Sequence, residues 1–331
     1  MEQIDQLLAL IDRPAFRAED GRITALNPAA RSLALSEGMA LKELLADGQE
    51  AYHEFCTGCL SLELMLPGGA VPAEVTVLDR GHLFTLEPET AEADLRMLSL
   101  AAQALRDPLA DLMTLAEELP GDLAERAELT RGLHRLLRIV GNMGPQPQFR
   151  PEIVELNALL REIWDQAQPA CDAKGIRFVF IPAPAPVFTA VDGCMLTRAI
   201  HNLLSNSMKF SAARTLRLEL QRSGGICRIR FLDPGAVLPP EPFTRYLREP
   251  GLEDPSSGLG MGLRIVRNAA AAHRGTVLMT ASGEGGVLTE LRLPIRQDTP
   301  MRSPRLRISY TGEHSPLLVE LSDVLPPEFY Q

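Results

Sequence analysis

The sequence predicts a multidomain α+β protein with three successive parts. Short strands and small helices fill the first part, two long helices with heptad spacing follow, and an α/β sandwich with glycine-rich loops comes last. A chain of 331 residues that is 45% hydrophobic is long enough for two or three separate cores. We place the parts at residues 1–89, 90–144 and 150–296, with a C-terminal extension at 297–331.

The composition restricts the classes of partner and compartment. The net charge of −10 argues against a broad nucleic-acid surface or binding to an anionic membrane. No apolar run has the length of a membrane-spanning helix, and no signal peptide opens the chain. Five cysteines without a secretory context fit reduced thiols. We therefore expect a cytoplasmic protein without a membrane span.

The first part has the pattern of a small mixed domain. The stretch from Ala15 to Pro28 predicts a strand, an Asp20-Gly21 turn, a second strand and another turn. This order resembles a Per-Arnt-Sim sensor domain, which binds a small ligand or only makes protein contacts; no residue here indicates a ligand. Small helices are predicted around Ala29–Leu35 and Met39–Ala46, and strands at Leu60–Leu66, Val71–Leu78 and Gly81–Leu86.

Two amphipathic helices form the second part. A helix is predicted from Ala91 to Leu119, bent at Pro108 and stopped by Pro120-Gly121. A second helix begins after Asp122. Two such helices cannot bury both apolar stripes alone, so a second copy would complete a four-helix bundle, and residues 91–143 predict a homodimer. The stripes are Leu95, Leu98, Ala102, Leu105, Leu109, Leu112, Ala116 and Leu119, then Leu129, Leu133, Leu136, Val140 and Met143.

The third part alternates strands and helices. A Pro-rich connection is expected between its third predicted element and the helix that begins near Asp192. The predicted elements are a strand near Ile153, a helix at Asn157–Ala173, and strands at Ile176–Ile181, Thr215–Gln221, Cys227–Leu232, Thr276–Ala281 and Val287–Leu293.

Three stretches of the third part carry the chemistry. Gly258, Gly260 and Gly262 alternate with apolar residues just before a helix, which is an arrangement that suits phosphate because the first helical N–H groups are free. Asn202 and Asn206 lie four residues apart on one helix face, with Lys209 a turn further on. Asp233-Pro-Gly235 ends a strand, where its carboxylate could accept a hydrogen bond from an exocyclic amine.

In this order, the stretches resemble the ATP-binding domain of sensor histidine kinases, over roughly residues 150–295. The resemblance implies ATP and Mg²⁺ as cofactors, with Asn206 as the metal ligand, Asp233 at the adenine and Lys209 at a phosphate. Val237 stands where the family usually has a second glycine. The resemblance implies nucleotide contacts from Asn202, Asn206, Lys209, Asp233, Gly235, the lid residue Phe243, Gly258, Gly260, Gly262 and Leu263.

One position departs from the family in a way that concerns catalysis. The family's phosphoacceptor motif is His-Glu-Leu-Arg-Thr-Pro-Leu, and the matching string here begins at Gln103-Ala104 and ends at Leu109. A carboxamide nitrogen is delocalised into its carbonyl and lacks the nucleophilic lone pair of a neutral imidazole. We therefore predict no phosphohistidine at Gln103 and assign no certain catalytic residue, so whether the chain is an enzyme stays open.

The alternatives are an active kinase or phosphatase that uses another acceptor, such as His134, or that phosphorylates a partner in trans. A response regulator is the partner that the resemblance implies. An ATPase of the related chaperone or topoisomerase type is a third possibility, but those enzymes use a glutamate where Asn202 stands.

Several further residues are open to a structural or a functional reading. Cys56 and Cys59 have the spacing of a redox or metal pair, without a second pair to complete a zinc site. His201 and His273 are expected to be structural. In the extension, Leu306–Tyr310 and Leu317–Leu321 are predicted to pair as a β-hairpin, with no function that the sequence indicates.

Overall fold

The computed structural model describes residues 8, 10–11, 13–45, 48–87, 92–118, 122–143, 148–238, 262–296 and 315–331. Residues 239–261, which include the lid residue Phe243, therefore lie outside the described residues, as does the predicted strand at Leu306–Tyr310.

The first part folds as five antiparallel strands with three short helices packed on them. Apolar side chains from both layers share one buried core. The predicted strands and the first two helices are present, and the third helix was not predicted. The strands are β1 (Ala15–Glu19), β2 (Arg22–Leu26), β3 (Cys59–Leu66), β4 (Gly69–Val77) and β5 (His82–Leu86), and the helices are α1 (Pro28–Arg31), α2 (Leu41–Leu44) and α3 (Gln49–His53).

Asn27 fixes the second turn of this part. Its Oδ1 accepts hydrogen bonds from the backbone N–H groups of Ala15 (3.0 Å) and Ala30 (2.9 Å), so one side chain caps α1 and ties it to β1. Below the helices, the Phe16 and Phe84 rings stack with centroids 4.6 Å apart. The Per-Arnt-Sim resemblance of this part stays a prediction.

The two long helices are α4 (Glu92–Glu118) and α5 (Leu123–Met143), which pack on each other. The heptad stripe of α4 divides between two directions. Ala102, Leu109 and Ala116 are buried in this contact, whereas Leu105 and Leu112 are each 50% exposed. Residues seven positions apart share one face, so the contact with α5 buries one of the two interleaved sets of the repeat and leaves the other half-exposed. The predicted bend at Pro108 stays a prediction.

The third part contains every strand and helix that the sequence predicts for it within the described residues. One further strand, Phe188–Val191, replaces part of the expected Pro-rich connection, because its backbone pairs with Glu152–Glu155 in a separate two-stranded sheet. The elements are β6 (Glu152–Glu155), α6 (Leu156–Ala173), β7 (Arg177–Ile181), β8 (Phe188–Val191), α7 (Gly193–Phe210), β9 (Thr215–Ser223), β10 (Ile226–Asp233), α8 (Gly262–Ala272), β11 (Thr276–Ala281) and β12 (Val287–Pro294).

A single ten-stranded sheet joins the first and third parts. Its strand order is β2-β1-β5-β4-β3-β11-β12-β10-β9-β7, and only β7 and β9 are parallel. Strand β3 of the first part pairs with β11 of the third part through Ser61, Leu60 and Cys59. Gly58 precedes this pairing at φ +86°, and a Cβ there would lie 2.1 Å from the Met279 carbonyl oxygen. Glycine is therefore required where the two backbones meet.

Ion pairs reinforce this junction. Arg267 of α8 makes two parallel hydrogen bonds to the Glu87 carboxylate, at 2.8 and 2.9 Å, and Arg292 of β12 reaches Glu54 at 2.9 Å. Planar bidentate pairs of this kind fix orientation as well as contributing energy. The first and third parts are thus joined by backbone and side chains together.

The C-terminal prediction is wrong in its described half. Residues Pro316–Glu320 form a helix, α9, and Pro327–Tyr330 form a 3₁₀ turn, where a strand was predicted at Leu317–Leu321. Pro316 occupies the first helical position, which its fixed φ suits. Leu317 and Leu321 are buried on one side, so the apolar spacing is that of a helix turn.

Candidate functional site

The helix α7 presents the asparagines and the lysine of the candidate site. Asp192 caps its N-terminus by accepting a hydrogen bond from the Met195 N–H at 3.1 Å. The apolar face of the helix is buried in the core of the third part. On another face, Asn202 is 4% exposed and its Nδ2 donates to the Arg198 carbonyl oxygen at 2.9 Å. The cap and the buried face together fix the rotation of the polar face.

The N-terminus of α8 lies directly against this polar face. A Cβ on Gly262 would be 3.2 Å from Asn202 Oδ1 and 3.4 Å from both side-chain atoms, Oδ1 and Nδ2, of Asn206. The first N–H groups of a helix and its positive dipole end attract anions. Leu263, the next residue, packs on the core. The site thus combines amide oxygens, which suit Mg²⁺ as hard ligands, with a helix end that suits phosphate.

Asp233 closes the other end of the site. It is 5% exposed at the end of β10, where its Oδ1 accepts hydrogen bonds from Ser211 Oγ (2.5 Å) and the Gly235 N–H (3.0 Å). Both of these bonds reach the same oxygen, Oδ1. A Cβ on Gly235 would be 2.4 Å from the Ala213 nitrogen, so this glycine is required. Val237 is 88% exposed, so its side chain lies at the surface.

Lys209 lies near the C-terminal end of α7, and its ammonium group forms an ion pair with the Asp323 carboxylate. Burial and the Arg138 and Arg135 guanidinium groups lower the pKa of Lys209 to about 7, against the opposing effect of Glu320. Sequence reasoning missed Glu320 and Asp323 altogether. They lie more than a hundred residues from α7 in a segment without a motif, so no sequence signal could have found them.

Other predicted residues are placed as follows. Phe243, Gly258 and Gly260 lie outside the described residues. Gln103 and Ala104 are exposed on α4. His134, by contrast, is 5% exposed on α5. The structure therefore brings together Asn202, Asn206, Lys209, Gly262 and Leu263, with Asp233 and Gly235 at the end of α7, while Gln103 and Ala104 lie on a separate helix.

The two histidines of the third part have structural surroundings. Burial lowers the pKa of His201 to about 4, and its side chain is fully enclosed. His273 Nε2 accepts a hydrogen bond from the Asp192 backbone N–H at 2.8 Å. Burial lowers its pKa as well, although the Ala269 carbonyl and Asp192 act in the opposite direction. His273 thus positions the residue that caps α7.

The cysteine pair gives no sign of a metal centre. Cys59 is buried and its Sγ donates to Glu74 Oε1 at 2.9 Å, whereas Cys56 is exposed, and neither forms a disulfide. Across the described ranges, no group of three or more histidine, cysteine, aspartate or glutamate side chains is arranged to hold a metal ion. None of the helices within those ranges is both long and apolar enough to span a membrane.

Comparison with known proteins agrees with this geometry. Residues 192–297 match the family of histidine kinase-, DNA gyrase B- and HSP90-like ATPases, whose members generally bind ATP with Mg²⁺. The sensor histidine kinase CusS of Escherichia coli K12 is 26% identical over 246 residues, covering 68% of this chain and 51% of CusS. The sensor protein SphS of Synechococcus elongatus is 29% identical over 235 residues, covering 67% of this chain and 55% of SphS. The chain thus spans about half the length of these curated relatives.

Among solved structures, full-length ShkA in complex with AMPPNP has a similar fold. Its TM-score is 0.51 at 20% sequence identity, over 62% of this chain and 47% of ShkA. This likeness shows the fold alone. The family match and the curated relatives show that the chain carries a histidine kinase-type ATPase domain and that its homologues are sensor histidine kinases.

Proposed function

We propose that this chain binds ATP–Mg²⁺ between α7 and α8 as a sensor histidine kinase-like signalling protein that does not phosphorylate itself at the usual position. The observation that carries the nucleotide proposal is the approach of both asparagine amides to the N-terminus of α8. Amide oxygens and free helical N–H groups converge there, and a metal–triphosphate needs both kinds of contact.

Each residue has a distinct role in this proposal. Asn206 supplies an oxygen to Mg²⁺, and Mg²⁺ when bound would neutralise phosphate charge. Asp233 accepts a hydrogen bond from the adenine amine through Oδ2, since Oδ1 is already held by Ser211 and Gly235. Lys209 contacts a phosphate. Gly258, Gly260 and Phe243 belong to the proposed lid.

Calorimetric titration with Mg²⁺–ATP tests this proposal, with Asn206→Ala as the variant. Loss of a metal ligand should weaken binding about 10-fold or more. Asn268→Ala is a matched control, because Asn268 is half-buried on α8 six residues beyond Gly262 and has no proposed contact with nucleotide. Absence of ATP binding by the wild-type chain at millimolar nucleotide contradicts the proposal.

We propose further that the chain is a homodimer through α4 and α5. Leu105, Leu112, Leu129 and Leu136 are each between 43% and 50% exposed, although they belong to the heptad stripes. Each fully buried leucine contributes about 1.5–3 kcal/mol, so this apolar surface favours a second copy. A cytoplasmic signalling partner such as a response regulator completes the proposal.

The acceptor position carries the proposal that autophosphorylation is lost. Gln103 is exposed on α4, where an acceptor would have to be reached by the ATPase domain, but its amide is not nucleophilic. His134 would be the alternative acceptor on these helices. Its Nδ1 lies 2.8 Å from the Thr130 carbonyl oxygen, and its ring packs edge-on against Tyr330 with centroids 5.0 Å apart. A buried, packed imidazole is poorly placed to attack a phosphate.

Incubation with γ-labelled ATP distinguishes a chain that has lost autophosphorylation from an active kinase that uses another acceptor. The wild-type chain should acquire no acid-labile label, whereas Gln103→His with Ala104→Glu should gain it if the ATP site is competent. The same double variant carrying Asn206→Ala is the control and should stay unlabelled. Acid-labile phosphate mapped to His134 in the wild type contradicts the proposal, and label on an added response regulator would favour an active kinase.

A further inference from the structure

The C-terminal segment, residues 315–331, fills the space between the helical hairpin and the ATPase domain. Val319 is buried in the core formed by α4 and α5, together with Leu133, Leu137 and Val140. On its other side, Leu317, Leu321 and Leu325 belong to the core of the third part. The segment therefore contributes to two cores at once and holds α5 beside α7.

The first of its two buried carboxylates, Glu320, contacts α7 at Arg198 and Asn202. Its Oε1 is 3.1 Å from Arg198 Nε, and its Oε2 accepts a hydrogen bond from Asn202 Nδ2 at 3.0 Å. Glu320 is 1% exposed. Arg198 also donates to the Gly141 carbonyl oxygen at 2.9 Å, so the same guanidinium links Glu320 to the end of α5.

The second carboxylate, Asp323, gathers three cations. It forms ion pairs with Lys209 of α7 and Arg138 of α5, and Arg135 Nε of α5 lies 2.9 Å from its Oδ1. The Asp323 side chain is 0% exposed. Removing one member of a buried ion pair leaves the other charge uncompensated in a medium of low dielectric constant. With Arg198, which pairs with Glu320, four cationic side chains of α5 and α7 thus form an anion site that the chain's own carboxylates occupy.

We propose that residues 315–331 are an intramolecular competitor of nucleotide, which holds Asn202 and Lys209 until ATP–Mg²⁺ displaces Glu320 and Asp323. This inference rests on the proposed ATP site, because the Glu320 and Asp323 carboxylates beside Asn202 and Lys209 would repel the phosphates that the same residues are proposed to contact. It adds a consequence for the hairpin: nucleotide binding releases the segment, and with it the contacts that the segment makes to both α5 and α7. By reciprocity, docking of the segment weakens nucleotide binding by the same factor.

The test uses the full chain with Glu320→Gln and Asp323→Asn, which keep the shape of both side chains and remove both charges. Calorimetry with Mg²⁺–AMPPNP should show binding about 5- to 150-fold tighter than in the wild type, the usual range of coupling between sites. Glu328→Gln is the matched control, since Glu328 is exposed in the same segment. Its nucleotide affinity should equal that of the wild type.

Amide hydrogen exchange of residues 315–331 gives a readout that does not depend on nucleotide affinity. In the wild type, Mg²⁺–AMPPNP should lower the protection of these amides, and the double variant should show low protection without nucleotide. Unchanged or weaker nucleotide binding by the double variant overturns the inference, since the carboxylates then either do not compete or help to bind the metal. Protection that nucleotide leaves unchanged overturns it as well.

The two proposals fail in distinguishable ways. Suppose that neither protein binds nucleotide, although residues 315–331 have lost hydrogen-exchange protection in the double variant. The proposed ATP site is then wrong, whereas the conclusion that Glu320 and Asp323 hold the segment in place still stands. If both bind nucleotide equally and protection does not respond, ATP binding stands and the competition is wrong. Leu321→Asp, at a position that is 0% exposed, releases the segment without touching either carboxylate and should tighten nucleotide binding too.

Discussion

His201 should make the stability of this protein depend on pH in a specific window. The side chain lies in the middle of α7 with 0% exposure, and neither ring nitrogen has a hydrogen-bond partner in the described part of the chain. Burial lowers the pKa of its imidazole from 6.5 to about 4, because a charged ring cannot be solvated there. The folded protein therefore resists a proton that the unfolded chain accepts readily.

The sign and the size of the effect follow from this difference. Above pH 6.5 the ring is neutral in both states and the full stability is present. As pH falls from 6.5 to about 4, only the unfolded chain binds the proton, so the free energy of unfolding decreases. At 1.36 kcal/mol per pKa unit, the whole loss is about 3 kcal/mol, of which about 2 kcal/mol falls between pH 7 and 5.

Urea unfolding followed by tryptophan fluorescence measures this loss. Trp164 is the only tryptophan, and its Nε1 donates to the Phe178 carbonyl oxygen at 2.9 Å in the third part. Wild type and His201→Leu are compared at pH 7 and at pH 5. The pKa of His82 and that of His273 are also lowered by burial, but both residues are present in each protein and cancel in the comparison.

The wild type should lose about 2 kcal/mol more than His201→Leu between the two pH values. The matched control is His53→Leu, whose exposed ring is reached by solvent in both states, and it should lose as much as the wild type. An equal loss in wild type and His201→Leu would refute the argument, as would a ring titration of His201 near pH 6.5 in the folded protein.

Three further outcomes are expected. Gly58→Ala should destabilise the β3–β11 junction by more than about 1 kcal/mol, since φ is +86° and the new Cβ would meet the Met279 carbonyl, and hydrogen exchange of β11 amides measures this. Leu105→Lys with Leu136→Lys should give particles of 36.2 kDa in light scattering, because both side chains lie on the proposed dimer surface; a wild-type chain of that mass contradicts the dimer. Glu87→Gln should destabilise the protein at pH 7 by about 1.5–3 kcal/mol. Burial raises the pKa of Glu87, but the hydrogen bonds and the charge of Arg267 outweigh burial, so the pKa is lowered overall. The difference between wild type and variant in the free energy of unfolding, measured with urea, should therefore shrink as pH falls below 4.5.

Much of the local structure was predictable because its causes lie within a few residues. Asp20 and Gly21 both adopt positive φ at the predicted turn. In α7, the four-residue spacing of Asn202 and Asn206 places both amides on the face that meets Gly262, and the motif order led to the ATPase family that the comparisons support. Such features need only helix periodicity and turn chemistry.

Predictions failed where a distant partner decided the conformation. The stretch at Leu317–Leu321 has an apolar spacing that fits a strand or a helix turn, and its contacts with two cores favour the helix. Likewise, β8 follows a Pro-rich stretch that suggests an irregular connection, and only the pairing with β6 makes it a strand. Short apolar runs are ambiguous until their partners are known.

The order of the parts, the periodicity of α4 and α5, and the residue types that face the candidate nucleotide site can all be read along the chain. The three-dimensional fold is needed to know which heptad positions are buried, that β3 extends the sheet of the ATPase domain, and that Glu320 and Asp323 reach Asn202 and Lys209. The physical reason is range: hydrogen bonding and side-chain spacing along one element act over a few residues, whereas burial and ion pairing depend on which surfaces the whole fold brings together.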